Sequence, residues 1–368
     1  MIKISCFILA AACLLTACSK TEEPSAGSLP ANGEVLLSVS LGTPSGATKV
    51  GSQTPTNEKT IRNVQVFVFR GGTGGDAGNL EIAASTGFTQ QLENAVGTFS
   101  GLTVRCTAGW REVWVVVNDS EDRTAGANAV ATKGDFLALT HELQYSTPSK
   151  LLMIGHSGTA EDAAVLLTEG QAELQIGVRR LAASVILESV KNDFDAPAYR
   201  KAGVFRLESC YLLNVPGRID FGERSAPSAL ATADWYARLA PETAPPRSDL
   251  LYDSLAGQLL NYGQTYTVPH TFYTYPNDCA VSEDATWSAR ATLLVLEASV
   301  YNGHSWLKYY YPVQLGAGPL CSNKQYRVNL TIHRPGSLDP NQGVRFEDVT
   351  PVIQVSDWTG GDVYSPEI

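Results

Sequence analysis

The chain has 368 residues, 37 Asp and Glu against 27 Lys and Arg, and a formal net charge of −10 at pH 7. This length exceeds the roughly 250 to 300 residues that one hydrophobic core organises, so two domains are expected. The acidic balance, with Arg179 and Arg180 as the densest basic cluster, excludes nucleic acid as a partner, because phosphate binding needs a clustered basic surface.

The chain opens with Lys3 and an apolar run from Ile4 to Leu15 that is too short to span a bilayer, the anatomy of an export signal. The run ends in Leu15, Thr16, Ala17 and Cys18, which matches the lipobox read by the bacterial lipoprotein signal peptidase. Residues 1–17 are therefore expected to be removed, leaving Cys18 as an acylated N-terminus. Several acyl chains on one residue anchor a protein stably where a single chain does not. Ser19, Glu22 and Glu23 favour the outer membrane and its surface.

Glu34 to Phe69 reads as two strands joined by a loop. Val35, Leu37, Val39 and Leu41 fall on one face opposite Ser38 and Ser40, the period of a half-buried strand, with Leu36 the exception. In the second strand Val64, Val66 and Val68 alternate with Gln65, Phe67 and Phe69, which predicts a central strand with two apolar faces. Gly42 to Lys59 lies between, rich in Gly, Ser, Thr and Pro and without apolar periodicity. An exposed, protease-accessible loop is expected there, with Lys49 its one basic residue before the end.

Gly71 to Gly78 suits a hairpin tip and lacks the G-x-G-x-x-G spacing of a phosphate loop. Val113 to Val117 is an unbroken apolar run that predicts a strand buried on both faces, closed by a turn at Asn118 and Asp119. Thr132 and Asp135 have capping-box spacing ahead of Phe136, Leu139 and Leu143, which predicts a helix. Leu151 to Ile154 and Glu173 to Val178 read as strands. A domain boundary is expected where Arg179 and Arg180 lead into the apolar run Leu181 to Leu187.

Val204 to Val215 reads as a strand, and Pro216 to Pro246 as an irregular insert with short helical pieces around Ser228 to Leu239. Tyr266 to Tyr275, Ala291 to Tyr301, Leu307 to Leu315, Tyr326 to His333 and Val349 to Trp358 complete the strands. Short strands at this spacing predict an all-β chain of sandwiches or barrels.

No catalytic, metal-binding or cofactor constellation emerges, and no enzymatic role is expected. The five histidines, His141, His156, His270, His304 and His333, are scattered, and His141-Glu142 lacks the later His of H-E-x-x-H. Gly155-His156-Ser157-Gly158 fails G-x-S-x-G because Thr159 follows. Asp193 with Asp195, and Asp339 with Asn341 and Gly343, fall short of a calcium loop and suit turns. Cys106, Cys210, Cys279 and Cys321 remain after signal removal; three pairings are open to them, as are free thiols. Trp235, Tyr236, Trp287, Tyr301, Trp306, Tyr309, Tyr310 and Tyr311 are expected to pack within strands, with a sugar-binding face as the alternative.

Several segments recur in a telling order: the lipobox at Cys18, the strand-loop-strand around Lys49, "TIRNVQVFVF" at Thr60 to Phe69, and "VWVVVN" at Val113 to Asn118. They continue with "VRRLAASVIL" at Val178 to Leu187, "TFYTYPN" at Thr271 to Asn277, "YRVNLTIHRPGSLDP" at Tyr326 to Pro340 and "VIQVSDW" at Val352 to Trp358. In that order they resemble the FimA-like fimbrilins, type V pilins of Bacteroidia. The resemblance implies an all-β chain of two transthyretin-like β-sandwich domains with few short helices, exported as a lipoprotein to the outer membrane and cell surface. It implies a signal at 1–17, a lipidated propeptide at 18–49 carrying a displaceable first strand, an N-terminal domain at 50–180, and a C-terminal domain at 181–368 ending in a donor strand.

In such a family a protease cuts after the first strand, and the vacated groove takes the C-terminal strand of another subunit. Mapped here, the displaced strand is Glu34 to Leu41, the cut is Lys49 to Val50, and the donor strand carries Val352, Ile353, Gln354, Val355 and Trp358. The donor face is ambiguous: Val352, Gln354, Ser356 and Trp358 oppose Ile353, Val355 and Asp357. The implied partners are other fimbrial subunits, outer-membrane lipid through Cys18, a processing protease, and host or bacterial surface glycans or proteins. The best-known members carry Arg at the cut, whereas this loop offers Lys49 and Lys59. An uncut, lipid-anchored subunit is therefore the alternative to a stalk subunit.

Overall fold

The computed structural model describes residues 33–42, 56–89, 92, 97–126, 129–159, 162–315, 318–342 and 348–358. In chain order the first half forms β1 (Glu34–Gly42), β2 (Val64–Arg70), β3 (Leu80–Thr86), β4 (Thr98–Thr107) and β5 (Gly109–Val117). A short helix α1 (Lys133–Leu137) follows, then β6 (Thr140–Glu142), β7 (Met153–His156), β8 (Ala164–Leu167), β9 (Gly170–Gly177) and β10 (Arg179–Arg180). One sheet has the order β4-β1-β9; the other runs β10-β7-β5-β2-β3, with β8 paired to the opposite end of β5 from β7.

The alternation in β1 explains how the two sheets meet. Val35, Leu37, Val39 and Leu41 point inward onto Val64, Val66, Val68, Val113, Val115 and Val117 of β2 and β5. As the sequence predicts, β2 is central, between β5 and β3, with Val64 through Phe69 all buried. Its other face, Phe67 and Phe69, packs on Phe136 and feeds a second core that continues into the C-terminal half. The glycines at 72 and 78 take φ of +84° and +80° in the β2–β3 connection, where a side chain would be strained.

The second half forms β11 (Ala183–Asn192), β12 (Phe205–Leu213), β13 (Val215–Pro216), β14 (Arg218–Asp220), β15 (Trp235–Tyr236), the turn-length helix α2 (Ser248–Leu251) and β16 (Tyr252–Leu259). Then come β17 (Thr265–Tyr266), β18 (His270–Thr274), β19 (Leu293–Tyr301), β20 (Trp306–Gln314), β21 (Lys324–Ile332) and β22 (Val349–Asp357). One sheet is ordered β17-β11-β21-β22, with β18 also on β11; the other is β16-β12-β19-β20. The fold is all-β, with only short helices among the described residues.

Three readings need correction. The helix expected through Leu143 stops at Leu137, because tertiary pairing takes over its carbonyls: Gly222 donates to Leu137 O and Phe221 to Leu139 O, each at 2.9 Å, and β6 pairs β14. The capping box itself forms, with Thr132 and Asp135 bonding each other's backbone amides. The expected loop Gly42 to Lys59 is not open throughout: residues 56–59 form a 3-10 turn in which Glu58 is 2% exposed. Strands β3, β4, β8 and β16 are not among the elements the sequence predicts. In the irregular insert, 3-10 turns at Pro227–Ala229 and Thr232–Asp234 supply the expected helical pieces.

Candidate functional site

The first strand is held on both edges. It pairs β4 antiparallel, from Glu34 opposite Thr107 to Gly42 opposite Thr98, and β9 parallel, from Val35 opposite Gly170 to Gly42 opposite Gly177. Among the described residues β4 and β9 have no other strand neighbour in this sheet, so β1 alone joins them. Without it, two strand edges would face each other across roughly 9 to 10 Å, twice the interstrand spacing. The walls would be main-chain donors and acceptors, and the floor the apolar side chains of the facing sheet.

Its inner side chains are exposed by no more than 2%. At about 1.5 to 3 kcal/mol for each buried Val or Leu, these four contribute of order 6 to 12 kcal/mol, comparable with a whole domain's stability. The exposed Arg105–Glu34 ion pair at 2.7 Å adds little to that hold. Cys106 on β4 lies opposite Val35, 4% exposed, and burial together with the Glu81 charge pushes its thiol up to about 11.

The last strand is held differently. β22 pairs β21 antiparallel from Val349 opposite Ile332 to Asp357 opposite Lys324, with no second neighbour among the described residues. Val349 at its start is 1% exposed and Trp358 just past its end is 0% exposed, whereas Val352 and Val355 are each 53% exposed. Gln354 is exposed and Ile353 half-buried. The structure extends the apolar alternation expected here: Val349, Pro351, Ile353 and Val355 share one face, four positions against the four of β1.

Trp358 enters a buried polar cluster that no sequence pattern signalled. Its indole Nε1 donates to Glu58 Oε2 at 3.0 Å, and its ring stacks on Tyr273 with centroids 5.8 Å apart. The Tyr273 hydroxyl donates to Glu58 Oε1 at 2.6 Å. The Arg180 guanidinium lies 4.4 Å from the Trp358 ring centroid and donates to Glu58 O at 3.0 Å. Asn323 joins the same corner, its carbonyl accepting from Trp358 N at 3.0 Å and its Oδ1 from Arg180 N at 3.3 Å. Burial pushes the Glu58 carboxyl above its ordinary range, outweighing the Tyr273 bond, the Arg180 charge and the Trp358 bond, which favour the anion. Burial likewise pushes Arg180 down.

The other sequence candidates are structural in their surroundings. His141 is buried on Tyr275, and desolvation lowers its pKa to about 3. Ser157 donates to Ala163 O and accepts from Val113 N, serving the turn rather than a nucleophile elbow. Asp339 caps Asn341 N in a turn. All four described cysteines are free thiols. Trp235, Tyr236 and Tyr311 are buried, so the eight aromatics do not present one face; Tyr301 and Trp306 do reach the surface. Cys18, Lys49 and Val50 lie outside the described residues.

Three comparisons bear on this arrangement. The family of the major fimbrial subunit protein (FimA) matches residues 34–165, a span that starts at β1. Among solved structures, the chain is similar to one described as a cell adhesion protein from Bacteroides eggerthii, at 18% identity and TM-score 0.61, covering 90% of this chain and 98% of that one. A cell adhesion protein from Parabacteroides distasonis gives 18%, 0.60, 90% and 98%, and a fimbrilin (fimA) from Porphyromonas gingivalis gives 15%, 0.58, 90% and 99%. No curated protein sequence matches. The chain is FimA-like: residues 34–165 match the major fimbrial subunit protein, and the whole described chain has the fold of a fimbrilin.

Proposed function

We propose that this chain is a structural subunit of a type V fimbria, exported as a lipoprotein, polymerised by protease-triggered donor-strand exchange and serving adhesion at the cell surface. The observation that carries the reading is β1, a strand hydrogen-bonded on both edges whose loss opens a groove one strand wide. An incoming strand would find unpaired backbone groups for affinity and four apolar pockets for register. In this reading Cys18 carries the lipid, and hydrolysis of the Lys49–Val50 bond separates the propeptide 18–49 from a mature N-terminal domain at 50–180. The C-terminal domain at 181–368 donates β22 of one copy to the groove of the next. Val349, Pro351, Ile353 and Val355 then take the places of Val35, Leu37, Val39 and Leu41, and Val352 and Gln354 face outward.

Replacing Lys49 by Ala tests the assigned cut. Surface-expressed Lys49→Ala is expected to remain monomeric and lipidated on gels of outer-membrane material; fibres of normal length would contradict the assignment.

A second reading, a lipid-anchored protein that stays uncut and binds glycan, draws on one feature. Tyr301 and Trp306, 36% and 37% exposed, lie with centroids 5.5 Å apart, and Arg206 packs 4.5 Å from the Trp306 ring. Binding to a glycan array that Trp306→Ala removes would favour it.

A further inference from the structure

We infer that Glu58, Arg180, Tyr273 and Trp358 form an autoinhibitory latch that keeps β22 on its own subunit until the segment carrying Glu58 is released. The inference rests on the strand-exchange reading for its purpose, but on the buried cluster for its evidence.

Two features of β22 make a latch necessary. Its ladder is one-sided, and its fully buried side chains stand at the two ends, Val349 and Trp358, with Pro351 and Ile353 half-buried between them. A strand held this way frays from whichever anchor is lost. Trp358 is the anchor just past the C-terminal end of β22, and three groups hold it: the Tyr273 ring by stacking, the Arg180 guanidinium by a cation–π contact, and the Glu58 carboxylate by a hydrogen bond. Tyr273 and Arg180 belong to strands paired within sheets, β18 on β11 and β10 on β7. Glu58 belongs to a 3-10 turn of four residues on the segment that connects β1 to β2.

That placement couples the two ends of the chain. While the segment is intact, Glu58 is tethered through β1 on one side and β2 on the other, which limits what it can gain by undocking. Hydrolysis of the Lys49–Val50 bond, water adding to leave a Lys49 carboxylate and a Val50 amine, would make Glu58 the ninth residue from a free N-terminus, just ahead of the anchors at Lys59 O, Thr60 O and buried Ile61. The undocked segment then gains conformational freedom, and the balance at Glu58 shifts toward release. Losing Glu58 leaves the Tyr273 hydroxyl and the Trp358 N–H without their acceptor in a buried site, which weakens the Trp358 anchor as well. The same cut that frees β1 thus frees the donor.

Hydrogen–deuterium exchange of the full chain tests this without reference to assembly. Glu58→Gln keeps the shape but offers one acceptor to two donors; Trp358→Phe keeps the ring and loses the N–H. Each is expected to speed exchange of the β22 amides at least tenfold while β12 and β19 exchange at the parental rate. A parental chain cut at Lys49, verified by mass, should show the same acceleration. Unchanged β22 exchange in both variants, equal acceleration in β12 and β19, or unchanged β22 exchange after the cut would overturn the latch. If β22 accelerates yet no fibres form, the latch stands and strand exchange is what fails.

Discussion

A glutamate at position 58, in a loop of Gly, Ser, Thr and Pro, gives no sign of being buried. Its partners are 122, 215 and 300 positions away, so only the tertiary fold brings Arg180, Tyr273 and Trp358 to it. Its titration has a defined sign. Because the folded-state pKa is raised above 4.5, the folded protein holds a proton the unfolded chain has lost, and stability from this group falls as pH rises through that window. The urea-unfolding midpoint of the parent, measured against Glu58→Gln, is expected to be most favourable below pH 4.5 and to decline as pH rises above it through the folded-state value; a difference independent of pH would count against a buried, titrating Glu58. Cys106 supplies a second residue-scale reporter. Its thiol is shielded in the intact chain, so labelling by a thiol reagent should be slow beside exposed Cys321, accelerate when β1 is removed, and slow again once another strand fills the groove. Labelling of Cys106 that ignores β1 would contradict its place at the groove wall.

At the scale of elements, β1 and β2 were legible because a period of two with Val and Leu inside is what a packed strand requires, and the structure buries those residues. The helix after Thr132 was over-extended for the same reason. Phe136 and Leu143 both face the core, but from a helix and a 3-10 turn, so their spacing imitates one longer helix. β4 escapes the period of two because an extra residue at Gly101, φ +112°, interrupts it: Phe99 and Leu102 stand three apart on the core-facing side, ahead of Val104 and Cys106. β22 was legible as a strand, but the sequence left its facing ambiguous, and placing Val349 at its start resolves the alternation. This makes Val355→Asp diagnostic. At 53% exposure the substitution should change monomer stability by no more than about 0.5 kcal/mol in urea unfolding, yet it should abolish assembly by placing a charge in the fourth apolar pocket of the groove. Normal assembly of Val355→Asp would reject the proposed register.

Over the whole molecule, the two halves are not beads on a linker. Phe136 contacts Phe221, β6 pairs β14, and Tyr273 bonds Glu58, so the core that fills the C-terminal sheets runs on beneath β2. The all-β class and two domains could be expected from length and strand spacing, and paired sheets from the family resemblance; this continuity could not, because it depends on Phe136 meeting Phe67 and Phe69 on one side and Phe221 on the other. In the proposed function the first strand is a removable plug. The mature N-terminus of surface material, read by mass spectrometry alongside gels in SDS, tests it most directly. A start at Val50 in SDS-resistant multimers is expected; a lipidated start at Cys18 with monomers alone would overturn the removable plug.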